Sequence, residues 1–184
     1  MRASRRAWGV ATVAALTTVA FGLWSSLTRP DPAAAGPTVA YLPDPGRPGL
    51  RSETARAAGM QVAASVTDFL RLADRADAVV VDRARLGDLP ADFLADQYRR
   101  GRVVAGINVP MADLERLTGG WQPTPPGDFR QDWGERPFYS VVYQSAATDG
   151  MQNKGWVSDQ LNGPTVLMWV IRTSVRDAQG NTDS

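Results

Sequence analysis

The chain has 184 residues, 20 basic and 19 acidic, with an apolar fraction of 43% and neither cysteine nor histidine. The two missing residue types exclude disulfides, thiol nucleophiles, Ser-His-Asp and Cys-His catalysis, phosphohistidine relays and nearly all zinc chemistry. The length accommodates one membrane segment and one domain of ordinary size, and no basic-aromatic stripe favours nucleic acid.

Arg2, Arg5 and Arg6 precede a run from Ala7 to Thr28 that carries no charge. As a helix, about 20 residues span roughly 30 Å, the thickness of a bilayer's hydrocarbon core. Trp8 and Trp24 stand near its ends, where indole rings prefer the headgroup boundary. The excess of arginine before the run predicts an N-terminus in the cytoplasm and everything beyond Arg29 outside. Residues 1–6 are thus a basic cytoplasmic start, 7–28 a transmembrane signal-anchor and 29–37 a short, proline-stiffened spacer. Ala33-Ala34-Ala35 also offers a small-residue cleavage pattern, and a cut there leaves a secreted soluble binding protein. Without the three N-terminal arginines the rest of the chain carries 17 basic against 19 acidic side chains, a net −2.

The outer domain is expected over 38–176. Thr38–Leu42 reads as its first strand, followed by the turn-rich PDPGRPG and a short helix stopped by Gly59. Met60–Ala64 is the second strand, and Ser65 with Asp68 starts a helix that runs to Ala76. Ala78–Val81 is an unbroken apolar run with three valines, the pattern of a strand buried on both faces. Asp88 is the expected cap of the next helix, with Pro90 in its first turn and Gly101 as its left-handed stop. Val103–Val109 then supplies another apolar strand, so the strand–helix–strand stretch from Ala76 to Pro110 predicts a parallel βαβ unit. A helix follows Pro110 and ends at Gly119.

Beyond Gly119 the stretch to Pro137 is rich in Gly, Pro and Trp and reads as a long loop. Phe138–Ala146 and Thr165–Val175 read as strands separated by a polar loop, and 177–184 as a disordered tail. The expected fold is therefore α/β: an open, mainly parallel sheet with flanking helices, flavodoxin- or Rossmann-like, preceded by one transmembrane helix.

In such sheets ligands bind at the carboxyl ends of the strands, which here carry Asp44, Asp82 and Asn108. These three are the candidate ligand-binding residues. Ser65 and Arg83 stand at strand ends beside them. Ordinary loop composition explains the same residues, since Asp, Asn and Ser are what turns contain. A phosphorylation receiver domain also carries strand-end acids, but the single lysine, Lys154, falls in the polar stretch instead of after a later strand. Gly46 and Gly49 stand before a helix, where backbone amides can meet an anion, without the spacing or lysine of a P-loop. Trp121, Trp133 and Trp156 are candidates for stacking on a sugar or anchoring a partner.

No metal or cofactor is implied. The leading expectation is a single-pass protein of the cell membrane whose extracytoplasmic domain is a non-catalytic binding or scaffolding module of the envelope. Its partners would be the membrane itself and an envelope protein or a small-molecule ligand. The alternative from another class is a carboxylate- or cation-dependent hydrolase using the acids at the strand ends.

Overall fold

Val39–Leu42 (β1), Ala78–Asp82 (β3) and Val103–Ile107 (β4) are buried at every position in the computed structural model of the chain. Its described residues are 36–46, 49–119, 137–148, 150–157 and 163–180, with the side chains of 156 and 157 excepted. β1 pairs with β3 and β3 with β4, all parallel, with Tyr41 opposite Val80 and Val80 opposite Ala105. Unalternated apolar strands require cover on both faces, and alternate residues of each strand supply it with separate cores. Val39, Tyr41, Val80 and Ile107 pack with Ala55 of helix α1 (Ser52–Ala57) and with Leu167 and Ile171 of α5 (Gly163–Ala178). Ala40, Leu42, Val79 and Val81 pack on the other face. Their neighbours are Phe69 of α2 (Val66–Ala73), Leu94 of α3 (Phe93–Arg99) and Leu114 of α4 (Met111–Leu117).

The two-residue β2 (Gln61–Val62) joins the outer edge of β1 in parallel. β5 (Phe138–Ser145) runs antiparallel to β4, and β6 (Gly150–Val157) antiparallel to β5. The result is a mixed six-stranded sheet in the order β2-β1-β3-β4-β5-β6 with helices on both faces. These elements lie in the unit Pro37–Ser184.

Several boundaries follow local chemistry. The Ser65 hydroxyl accepts the Asp68 amide at 3.1 Å, and the Asp68 carboxylate accepts the Ala64 amide at 3.1 Å, so two otherwise unpaired donors at the start of α2 are satisfied. The Ala64 amide bond, with Arg71 beside it, holds the Asp68 carboxyl below the ordinary range. Gly101 and Gly119 have φ of 74° and 75°, the left-handed ends expected after α3 and α4.

Three expectations are corrected. Thr165–Val175 is not a strand but the middle of α5. Its β-branched and aromatic residues suit a strand, yet Pro164, Leu167, Met168, Ile171 and Val175 recur at helical spacing and are all buried. Pro164 in the first turn also favours a helix start. The polar stretch before it is not wholly loop, because Gly150–Val157 forms β6. An edge strand needs main-chain pairing on one side only, which an apolar count does not register. Asp88 does not cap a helix. Arg83–Asp88 is a 3-10 turn, Leu89 is extended (ψ 152°) ahead of Pro90, and α3 begins at Phe93. The ring of a proline disfavours the helical region for the residue before it, which delays the start. Asp88 instead pairs with Arg85 Nε at 2.7 Å.

α5 continues through Asp177 and Ala178, where the tail was expected to begin. No helix among the described residues is long and apolar enough to cross a membrane, and the expected anchor, 7–28, lies outside them.

Candidate functional site

β1 and β3 are adjacent, and their carboxyl ends meet at Asp82. The side chain of this last residue of β3 is 2% exposed. Its Oδ2 accepts the Tyr41 hydroxyl at 2.8 Å and the Asp44 amide at 2.8 Å. The Gly49 amide lies 3.1 Å from Oδ1 and 3.2 Å from Oδ2. Tyr41 is itself fully buried, and its oxygen accepts the Leu50 amide at 3.2 Å. An ionised carboxylate leaves water only where its lone pairs are met by donors, and the chain supplies three of them here.

The electrostatics are those of a sequestered acid. Burial pushes the Asp82 carboxyl above its ordinary value; the Asp44 amide, the Tyr41 hydroxyl and the Gly49 amide oppose the shift, and the Asp44 charge adds to it. Burial, then the Asp82 charge, drives the Tyr41 hydroxyl far above the tyrosine range, so that it serves as a donor and keeps its proton.

The amides of the turn-rich loop thus do meet an anion, but it is the chain's own Asp82. Gly49 makes that approach possible. A Cβ at this position would overlap Ile107 Cγ2 and come within 2.5 Å of Asp82 Oδ1. Gly49→Ala is therefore expected to destabilise the domain by about 1–3 kcal/mol through overpacking. A thermal melt checks this, and a wild-type midpoint would mean that the loop is not seated on Asp82.

Asp44 and Asp82 are brought together, and Asp44 is also engaged locally: its Oδ1 accepts the Gly46 amide at 2.8 Å in a tight Asx turn. Asn108 is committed elsewhere. It adopts φ 58°, its amide donates to the Phe138 carbonyl at 2.8 Å, and its Oδ1 accepts the Phe138 amide at 3.2 Å. Those bonds continue the β4–β5 ladder past Ile107, a structural role that a short polar side chain tolerant of positive φ can fill. Ser65 caps α2, and Arg83 opens the 3-10 turn. Among the described residues no group of three or more acids is placed to hold a metal ion.

The opposite end of the sheet holds polar contacts that no sequence pattern announced. The Arg102 guanidinium donates to the carbonyls of Ala73 and Asp74 and to Gln97 Oε1, clamping the C-terminal end of α2 against the start of β4. A cation there also complements the helix dipole. Asp77 Oδ2 accepts the Thr38 amide at 2.7 Å and its hydroxyl at 2.9 Å, fixing the point where the chain enters β1. An open depression of about 400 Å³ lies beside these residues, lined by Asp77, Arg100 and Arg102 and by Val175 and Gln179 at the end of α5.

Of the candidate tryptophans, Trp156 belongs to β6, while Trp121 and Trp133 lie outside the described residues. The tryptophan that stands out lies in Thr165–Val175, the segment that is a helix where a strand is expected. Trp169, on α5, is 64% exposed.

Comparisons with protein-family models, with curated proteins and with solved structures give no match to this chain.

Proposed function

We propose that the chain is a membrane-anchored extracytoplasmic module that binds or scaffolds within the cell envelope and does not catalyse. Its sheet is read as a flavodoxin-like, doubly wound core, β2-β1-β3-β4, extended by two antiparallel strands and preceded by one transmembrane helix over 7–28. In such a core the ligand or the reacting groups sit where the strand order reverses, between the ends of β1 and β3. The observation that carries the proposal is what fills that position. The Asp82 carboxylate is turned inward and occupied by Tyr41, Asp44 and Gly49. A general acid or base must reach a substrate proton, and an acid that is 2% exposed and bonded to three internal donors does not. With histidine and cysteine absent as well, the module offers a surface for recognition and not a reaction centre.

The anchor is supported by the charge-free run and the arginines before it, and the test is made on the full chain from its own cells. Membranes washed with alkaline carbonate are expected to retain the protein with its N-terminal segment intact. A mature chain beginning at Gly36 in the soluble extracytoplasmic fraction would overturn the anchor. Cross-linking on the washed membranes is expected to give a defined adduct that survives Asp44→Asn. Loss of the adduct in that variant would return the site to the strand ends.

A further inference from the structure

The depression at the end of the sheet away from Asp82 is built by strand order. α2 and α3 each lead into a strand of the parallel core, and β3 and β4 are neighbours, so the turns after the two helices come together. Arg75 follows α2, Arg100 follows α3, and Arg102 immediately precedes β4; all three line the depression. Val175 and Ala178, near the end of α5, complete the lining with apolar surface.

Three guanidiniums meet two carboxylates in this lining, and both carboxylates are already engaged. Asp77 Oδ2 accepts the amide and the hydroxyl of Thr38, while Asp74 lies 3.7 Å from Arg100 Nη1 in a loose pair whose side chains are both more than half exposed. Arg102 is held by the carbonyls of Ala73 and Asp74 and by Gln97, which offsets the negative end of α2 and fixes one positive group in place. Arg75 is exposed, and among the described residues no hydrogen bond or ion pair holds its guanidinium. An unpaired arginine and a loosely paired one therefore line a single depression beside an apolar patch.

We propose that the depression binds a small organic oxyanion, a phosphate ester or a carboxylate, with its charged oxygens on Arg75 and Arg100 and its organic group against Val175 and Ala178. The planar fork of a guanidinium matches the paired oxygens of either group. A volume of about 400 Å³ falls within the range of small-molecule sites, about 300–1,000 Å³. A cationic ligand would meet three arginines, with Asp77 already taken by Thr38. A wholly apolar ligand would draw water from the arginines and give no hydrogen bond in return. The crevice at the carboxyl ends of β1 and β3, the usual ligand position in such a sheet, is filled by Asp82 and its donors. The inference goes beyond the anchored, non-catalytic reading and stands on this depression alone.

The full chain in neutral detergent micelles is titrated with phenyl phosphate, benzoate and phenol, and binding is read by ligand-observed NMR against protein-free micelles. In about 20 mM salt at least one of the two anions is expected to bind saturably with a Kd of about 1 mM or tighter, at least about fivefold below that of phenol, and about 0.5 M salt should weaken it severalfold. The better of the two anions decides between a phosphate ester and a carboxylate. Arg75→Gln and Arg100→Gln should each weaken binding at least about threefold. Asp74→Asn, which releases Arg100 from its carboxylate, should tighten it about twofold. The melting midpoint should stay unchanged in all three variants, because these side chains are exposed. Phenol binding as tight as that of the anions, no saturable anion binding, or a Kd indifferent to both arginine variants overturns the proposal. Retention in carbonate-washed membranes is independent of every one of these results, so the anchor stands or falls separately.

Discussion

Val80→Asp is expected to abolish the cooperative melting transition of the protein. Val80 lies at the centre of β3, fully buried, opposite Tyr41 on one side and Ala105 on the other. Its side chain belongs to the apolar core shared by α1 and α5. An unpaired charge in such a place costs several kcal/mol even after relaxation, against a total stability of about 5–15 kcal/mol for a domain of this kind. Far-ultraviolet circular dichroism during heating reads the result. Val166→Asp, on the outer face of α5, is the control and should stay within about 0.5 kcal/mol of the wild type. Wild-type-like melting of the Val80 variant would mean that β3 does not run through the middle of the sheet.

Asp82→Ala is expected to cost about 3–5 kcal/mol. The substitution leaves the Asp44 and Gly49 amides and the Tyr41 hydroxyl without their acceptor, and each unsatisfied buried donor costs about 1–3 kcal/mol, less whatever an entering water restores at the half-buried Asp44. Asp82→Asn should be milder, because its carbonyl keeps an acceptor for Tyr41 and Asp44 and only the Gly49 amide then faces a second donor. The Asn variant also isolates the proton. Since the folded state raises the Asp82 pKa above its unfolded value, the folded state holds more protons between the two. The stability this linkage contributes is fully present below the unfolded value and is lost as pH rises through the folded one. The stability advantage of wild type over Asp82→Asn should therefore shrink as pH climbs from the ordinary carboxyl range, and urea melts across that range measure it. An advantage that grows with pH would show an acid stabilised in its charged form, as a solvated or ion-paired site would be.

The parallel core was legible because its signals are local. Ala78–Val81 and Val103–Ile107 are buried through their length, and an unalternated valine run has few other homes in a folded chain. Ser65 acts through its hydroxyl, and Gly101 and Gly119 through their own backbone, all within a few residues, so the pattern around each is sufficient to place a helix end. The last third was not legible in this way. Thr165–Val175 satisfies the composition of a strand and the spacing of a helix together, and the choice was made by the sheet face that Leu167, Ile171 and Val175 had to cover. β6 exists because β5 presented a free edge to pair with.

The candidate site divides along the same line. The sequence by itself determined that acids and an amide would stand at the strand ends, and that no histidine or cysteine would stand with them. Only the tertiary structure decided what those residues do, because their partners are remote along the chain. Asp82 is held by Tyr41 from 41 residues before it, and Asn108 is tied to Phe138 30 residues after it. No local pattern encodes such a bond. It appears when strand order sets β1 beside β3 and β5 beside β4, and burial then requires each carboxylate and amide to find a partner. Trp169 was equally undetermined. Whether it faced the core or the solvent depended on whether its segment alternated every second residue or turned every 3.6, and the helix turned it outward.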